Sequence, residues 1–288
     1  MAANNWKAEM KTLRQQLEGE ELLIVPGVFD GLSARIAANQ NFPALYMSGF
    51  AVAASLLGEP DIGLVTASEM TARAGQIVEA ADNKPVIADG DNGYGGVFNV
   101  ERLVRHYEQV GVSCIQLEDQ VNPKRCGHME NKEVVSMIDA TAKISAAVAA
   151  RSTDNFLIMA RTDARATHGL DEALRRAEAF LMAGADILFV EAPRTVAEMQ
   201  IVKDTFPDTP LVANMVEDGK TPALSGEQLQ DMGYAILLRP VSALLAVSQV
   251  LSQAYSSLSS QGDLGSMDRF SFSEINELLR LPEYLERD

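Results

Sequence analysis

The chain is poor in cysteine, in basic residues and in long apolar runs, and each scarcity excludes something. Only two cysteines, Cys114 and Cys126, occur in 288 residues. Two thiols make no disulfide framework, so the expected compartment is the cytoplasm. No apolar run approaches the roughly 18 to 20 residues that a membrane span needs, so no membrane partner is expected. The segment Met1–Lys7 lacks a basic stretch followed by an apolar one, and no secretory signal is expected. Lysine and arginine total 24 against 40 acidic residues, a net charge of −16. Such a surface repels phosphate backbones, and no basic stripe offsets it, which argues against a nucleic-acid partner. The plain meaning of that charge is solubility. A small anionic substrate remains open, because a local cluster of cations can override the global field inside a cleft.

Hydrophobic residues make up 47% and charged residues 22% of the chain, as in an ordinary globular protein. Short, almost continuously apolar runs recur at Leu22–Val28, Ala44–Gly49, Pro85–Asp91, Cys114–Asp119, Phe156–Asp163, Ile187–Pro193, Leu211–Met215 and Ala235–Pro240. They read as strands buried on both faces. Amphipathic stretches such as Ser68–Ala80, Val100–Val110, Asp171–Ala183 and Ser225–Asp231 lie between them, and Gly111, Gly184 and Gly233 follow helical stretches as stop signals. Eight strand–helix alternations predict an α/β fold, a closed (β/α)8 TIM barrel, which typically takes about 250 residues. The alternative, an open doubly wound sheet, would want a Gly-rich phosphate turn after an early strand, and none is present. The expected organisation is a barrel over residues 1–250 and a C-terminal helical extension over 251–288. Ser252–Ser266 reads as a loop and Phe270–Glu286 as a last helix whose apolar surface packs on a neighbouring subunit or on its own barrel.

In such barrels the reacting groups collect at the C-terminal strand ends. Those ends here carry Ser48-Gly49, Asp89-Gly90-Asp91, Glu118-Asp119, Arg161-Thr162-Asp163, Glu191, Asn214 and Arg239-Pro240. Asp89, Asp91 and Glu118 are hard oxygen donors with no His or Cys among them, which points to Mg2+ or Mn2+ rather than zinc. Since Mg2+ gives up water reluctantly, one direct carboxylate is expected, with the others reached through water. The competing reading is that these acids cap helices or pair with Arg161. Arg161 can clamp a carboxylate with two parallel hydrogen bonds. The loop after the fourth strand reads Lys124-Arg125-Cys126-Gly127-His128. A thiol among cations has its thiolate stabilised and can act as an acid or base near neutral pH, while Gly127 lets the backbone fold over a ligand. His128 is a candidate substrate contact or a structural hydrogen bond; Cys114, inside an apolar strand, reads as inert core. His106 and His168 carry no assigned role. Tyr46-Met47-Ser48-Gly49 could offer the Ser48 hydroxyl and successive backbone N–H groups to an anionic oxygen. Gly93-Tyr94-Gly95-Gly96 lacks the lysine of a nucleotide loop and reads as a sharp turn beside Asp91.

Assembled in order, these strings resemble the isocitrate lyase/phosphoenolpyruvate mutase superfamily, from Pro26 to Pro240. Further matching strings are Pro26-Gly27-Val28-Phe29-Asp30, Pro60-Asp61-Ile62-Gly63, Leu117-Glu118-Asp119-Gln120 and Ala213-Asn214-Met215. The nearest branch resembles 2-methylisocitrate lyase and its alkylmalate- and oxaloacetate-cleaving relatives, petal death protein-like enzymes included. The resemblance implies a Mg2+-dependent carbon–carbon lyase acting on a small 2-hydroxy polycarboxylate through a metal-stabilised enolate. It implies metal at Asp89, Asp91 and Glu118, Cys126 as acid–base group on a gating loop, and catalytic Arg161, Glu191 and His128. Tyr46, Ser48, Gly49, Asp61, Lys124, Arg125, Gly127, Asn214 and Pro240 would line the substrate site. Oxaloacetate hydrolases of the group tend to carry Ser at the position of Pro240, which favours a lyase; oxaloacetate cleavage or phosphonomutase chemistry is the alternative. A homotetramer with exchanged C-terminal helices is also implied. Two departures stand out: Phe50 replaces a glycine typical of methylisocitrate lyases, and Met267–Phe272 lacks their usual string, which leaves a dicarboxylate substrate open.

Overall fold

The computed structural model describes residues 11–124 and 132–287. Arg125, Cys126, Gly127 and His128 therefore lie outside the described residues. Eight parallel strands form one sheet in the order β6-β5-β4-β3-β2-β1-β8-β7. They are β1 (Leu23–Val28), β2 (Leu45–Met47), β3 (Val86–Asp89), β4 (Cys114–Glu118), β5 (Leu157–Thr162), β6 (Ile187–Val190), β7 (Val212–Asn214) and β8 (Ile236–Arg239). Between β6 and β7 the ladder shrinks to one bridge, Leu188 to Leu211, with the Leu188 N–H donating to the Pro210 carbonyl at 3.1 Å. That bridge nearly closes the barrel. All eight runs expected from the sequence are strands, each trimmed at one or both ends.

The helices α1 (Leu13–Leu17), α2 (Gly31–Ala38), α3 (Gly49–Leu57), α4 (Ala67–Ala80), α5 (Val97–Gln109), α6 (Met137–Ala150), α7 (Ala164–His168) and α8 (Leu170–Met182) follow the first five strands and what precedes them. The rest are α9 (Val196–Thr205), α10 (Gly226–Met232), α11 (Ser242–Gln261), α12 (Phe272–Leu278) and α13 (Leu281–Leu285). Side-chain caps fix many starts: Thr66, Ser136, Thr195 and Ser225 each accept a hydrogen bond from the N–H three residues on. No helix among the described residues is long and apolar enough to cross a membrane.

Strand alternation divides the core in two. Val25, Tyr46, Ile87, Cys114, Met159, Phe189, Val212 and Leu238 fill the barrel interior. Their neighbours Val28, Met47, Ala88, Ile115, Ala160, Val190, Ala213 and Leu237 pack outward against the helices. With a side-chain period of two, residues 48, 89, 118, 161, 191, 214 and 240 continue the inward rows past the apolar plug. The polar groups at the rim thus point where the strand register sends them. Cys114 is fully buried and its thiol is pushed up by that burial, in keeping with an inert core role.

The C-terminal region corrects two expectations. Ser252–Gln261 is helix and only 262–266 is loop: α11 runs to Gln261, with Ser248 and Ser260 hydroxyls donating back to the carbonyls of Leu244 and Ser256 at 2.8 Å. The helix stops at Gly262, where φ is +80°. Phe270–Glu286 is two helices rather than one. Pro282 lacks the N–H that a continuing helix would use, and Arg280 turns the chain with φ +63° while pairing with Asp82 at 2.6 Å.

Candidate active site

A cavity of about 250 Å3 opens at the C-terminal rim of the barrel. Ten residues expected from the sequence line it: Tyr46, Ser48, Asp61, Asp89, Glu118, Lys124, Arg161, Glu191, Asn214 and Pro240. Asp91 and Gly49 stand just behind. Gly49 has a positional reason: a Cβ there would lie 2.6 Å from Asp89 Oδ2, the atom its N–H reaches at 3.2 Å. Ser48 donates its N–H to the Val28 carbonyl and caps α3 by accepting from Ala51. Of the successive N–H groups expected to meet an anionic oxygen, those of Ser48 and Gly49 are therefore engaged already, because the chain turns into α3 at this point.

Asp89 is held by three donors. Besides Gly49, the Asp91 N–H and the Gln116 amide reach its Oδ1 at 3.0 and 3.2 Å, and the Tyr46 hydroxyl in turn donates to Gln116 at 2.9 Å. β3 ends at Asp89, and Asp91 takes φ +47°, so the two carboxylates meet through a tight turn rather than through strand alternation. The glycine-containing stretch behind it completes that turn, with positive φ at Gly93, Tyr94 and Gly95. Lys124 Nζ bridges Asp61 Oδ1 at 2.6 Å and Asp91 Oδ1 at 2.7 Å. The second contact is an ion pair off the hydrogen-bonding direction, since Asp91 Oδ1 has no hydrogen-bond partner.

Arg161 sits in a fork. Asp163 accepts from its Nε at 2.9 Å and from its NH2 at 3.1 Å; Glu118 and Glu191 lie 3.4 and 3.8 Å away, and its other face covers the Phe189 ring at 5.0 Å. Asp163 also accepts from Lys132 Nζ at 2.6 Å, and its own N–H donates to Asp119. Asp119 is fixed by Thr162 at 2.7 Å and by the buried Arg176 of α8 at 3.1 Å. The pairing of Glu118 with Arg161, the competing reading of the rim acids, is thus real, yet Glu118 Oε1 remains buried with no hydrogen-bond partner.

Burial pushes Asp89 up to about 6, with the Asp91 charge adding to it and Lys124 and Arg161 opposing. Burial also raises Glu118 well above the carboxylate range and raises Asp61, against the pull of Arg161 and Lys124 respectively. For Lys124 burial works against the charge, but Asp91, Asp89, Asp61 and Glu118 outweigh it and hold the ammonium well above its ordinary value. Asp163 goes the other way: burial opposes its charge, and Arg161 and Lys132 overrule it, holding the carboxyl far below the usual range.

Around the cavity, Asp61, Asp89, Asp91, Glu118 and Glu191 face only Lys124 and Arg161 among the described residues. Five carboxylates against two cations leave excess negative charge among the described residues, added to the burial that raises Asp89, Glu118 and Asp61. The donor set is all oxygen, with Glu118 Oε1 buried and without a hydrogen-bond partner, and that suits a hard divalent cation. No group of three His, Cys, Asp or Glu side chains among the described residues converges on one point as a closed metal cage. Mg2+ does not require one, because it commonly uses one or two carboxylates and keeps its waters.

Sequence reasoning did not assign Gln116, Asp163, Lys132, Phe189 or Glu217. Gln116 and Phe189 carried a usable signal, since each lies two residues before a rim acid on the same strand. Glu217 and Lys132 carried none, because long-range folding alone brings them in.

The phosphoenolpyruvate phosphomutase family model matches residues 13–258. A 2,3-dimethylmalate lyase of Eubacterium barkeri is 45% identical over 276 residues, covering 95% of each chain. A 2-methylisocitrate lyase of Aeropyrum pernix is 39% identical, over 96% of this chain and 89% of that one. Among solved structures, oxaloacetate acetylhydrolase in complex with 3,3-difluorooxalacetate superposes with a TM-score of 0.93 at 35% identity, covering 97% and 95% of the two chains. A phosphonopyruvate hydrolase complexed with oxalate and Mg2+ does so with a TM-score of 0.85 at 28% identity, covering 95% of each.

Proposed function

Since the chain belongs to the phosphoenolpyruvate mutase/isocitrate lyase superfamily and is a carbon–carbon lyase of it, we propose that it cleaves a 2-hydroxy polycarboxylate of the 2,3-dimethylmalate or 2-methylisocitrate type, releasing pyruvate or a related 2-oxo acid plus a carboxylate such as propionate or succinate. The cofactor in this reading is Mg2+, with Mn2+ as substitute, held by Asp89, Asp91 and Glu118. The charge balance of the cavity carries the proposal. An anionic substrate entering five carboxylates and two cations, counted among the described residues, would be repelled, and a divalent cation offsets most of that excess. The related phosphonopyruvate hydrolase, crystallised with oxalate and Mg2+, supports the choice of metal.

When bound, the cation supplies positive charge beside the negative charge that develops on the reacting hydroxy acid. Arg161, held in its Asp163 fork, clamps the 2-carboxylate. The hydroxyl proton passes to the Glu191 carboxylate, which lets the C2 carbonyl form as the C2–C3 bond breaks, and the electron pair passes to C3 as a carboxylate-stabilised carbanion. Cys126 protonates C3, with His128, Arg125 and Gly127 beside it in sequence. Glu191, oriented by the Asn214 amide at 3.2 Å, borders the reacting groups, as do Tyr46, Ser48, Asp61, Lys124 and Pro240. At this rim Lys124 pairs with Asp61 and Asp91, and Lys132 with Asp163, which supports a role here for Cys126, between the two in sequence.

Pyruvate release from 2,3-dimethylmalate, 2-methylisocitrate and oxaloacetate, measured in parallel with Mg2+ and with EDTA, tests the reading. Metal-dependent release from either hydroxy acid is expected. A general acid contributes about 10^2 to 10^4-fold, so Cys126→Ser should lose turnover by a factor in that range while keeping oxo-acid binding; full activity of that variant removes Cys126 from the mechanism. The oxaloacetate acetylhydrolase likeness makes hydrolysis of oxaloacetate the second reading, and acetate plus oxalate from that arm would favour it. The same proposal places the enzyme in the cytoplasm as a homotetramer. Phe272, Tyr284 and Leu285 are more than 60% exposed on α12 and α13, as apolar helices exchanged between subunits would be in an isolated chain.

A further inference from the structure

The cavity has two unlike sides. The half formed by the ends of β2 to β6 carries the carboxylates, Lys124 and Arg161, which suits the hydroxy-acid end of a substrate. The rest of the lining is Phe50, which follows Gly49 at the start of α3, with Val216 and Glu217 after β7, Leu238 of β8, and Val241 and Leu245 at the start of α11. It offers no cation among the described residues. Its one charged group is Glu217, whose Oε1 accepts from the Ser242 hydroxyl at the N-terminus of α11. Arg239 approaches Glu217 only to 3.9 Å, and its NH1 is already donating to the Met215 carbonyl at 3.1 Å.

The two candidate hydroxy acids differ in one place. Both carry a hydroxyl, a methyl and a carboxylate on C2; on C3 one has a methyl where the other has a carboxymethyl group. The C3 side departs as the second product and, with the 2-carboxylate on Arg161, is directed to the rest of the lining. A methyl there meets Phe50 and Leu238, whereas a carboxymethyl group would lose its hydration against that wall and meet the Glu217 carboxylate.

We propose that Phe50 and Glu217 are specificity-determining residues that reject a third carboxylate, making the substrate a 2-hydroxy dicarboxylate with a small alkyl group on C3. The inference deepens the lyase reading and rests on it. Phe50 acts by shape and by denying solvation; Glu217 acts by charge.

The test is kcat/KM for 2,3-dimethylmalate and for 2-methylisocitrate, with Mg2+, in the wild type, Phe50→Ala, Glu217→Gln and the double variant. Inhibition by propionate and by succinate, the one- and two-carboxylate products, gives a binding readout independent of turnover. The wild type should prefer the dicarboxylate. Each substitution should move the selectivity ratio toward the tricarboxylate by about tenfold or more, within the range that one pocket contact commands. Glu217→Gln should also tighten succinate relative to propionate. Because Glu217 is exposed, that variant should fold even if Phe50→Ala does not. An unmoved ratio in Glu217→Gln and the double variant overturns the proposal. So does a wild type that prefers 2-methylisocitrate, which would leave the lyase reading standing. A wild type that releases pyruvate from neither acid removes both.

Discussion

Asp163 never touches the cavity, yet Arg161 depends on it. Its carboxylate takes two hydrogen bonds from the guanidinium and one from Lys132, and its N–H is anchored on Asp119. Because both cations hold it far below the ordinary carboxylate range, Asp163 stays ionised throughout the neutral region. Its stabilising contribution is present above the unfolded carboxylate value and fades only in strong acid. Asp163→Asn keeps the size and one acceptor but removes the charge, leaving a buried guanidinium and a buried ammonium under-compensated. Removing one partner of a buried pair commonly costs about 3–5 kcal/mol. Asp163→Asn should therefore melt several degrees lower, and KM for the hydroxy acid should rise as Arg161 loses its aim. Calorimetry and steady-state kinetics check both; a variant with wild-type melting and wild-type KM would show that Arg161 needs no such support.

At the scale of elements, the seam between β1 and β8 decides whether the barrel closes beside the site. Pro26 pairs with Arg239, and the next residue pair brings Gly27 against the Pro240 backbone. A Cβ on Gly27 would lie 2.0 Å from the Pro240 carbonyl oxygen. That contact is backbone against backbone, so no rotamer can relieve it. Gly27→Ala should destabilise by about 2 kcal/mol or more, and it should displace Pro240 at the cavity wall; chemical denaturation would read the first and a changed KM the second. The strands themselves were legible, because a strand buried on both faces writes an unbroken apolar run such as Ile187–Val190. Their ends were less so: Asp91 and Pro193 continue the string in sequence but have left the ladder. The alternation that aims Glu118, Arg161 and Glu191 inward was readable from strand period alone. The helix through Ser252–Gln261 was not, since serines that satisfy their hydroxyls on their own helix look in sequence like loop residues. Glu217 and Lys132 join the site only through contacts made across the fold, and local sequence has no voice in those.

The acidity of the whole molecule and of its cavity meet in one observable. Burial raises Asp89 to about 6 and raises Asp61 and Glu118 as well. A carboxylate with a raised folded value binds its proton more tightly in the folded chain. Its stabilising contribution is thus fully present below the unfolded value near 4 and is lost as pH climbs through 6. For Asp89 alone, ionised at neutral pH, the loss is on the order of 3 kcal/mol. Metal-free enzyme should therefore gain melting temperature as pH falls from 8 toward 5.5, before global protonation of the surface acids intervenes. A divalent cation bound by the same carboxylates reverses the slope: it stabilises most where they are ionised and competes with their protons below 6. Melting scans with EDTA and with Mg2+ at pH 8, 7, 6 and 5.5 should show the Mg2+ increment shrinking steadily with acidity. Asp89→Asn should abolish the increment at every pH while raising the metal-free melting point at pH 8, because the uncompensated charge is gone. An increment that survives in Asp89→Asn, or that grows as pH falls, would mean the cation binds elsewhere and that the cavity balances its charge without one.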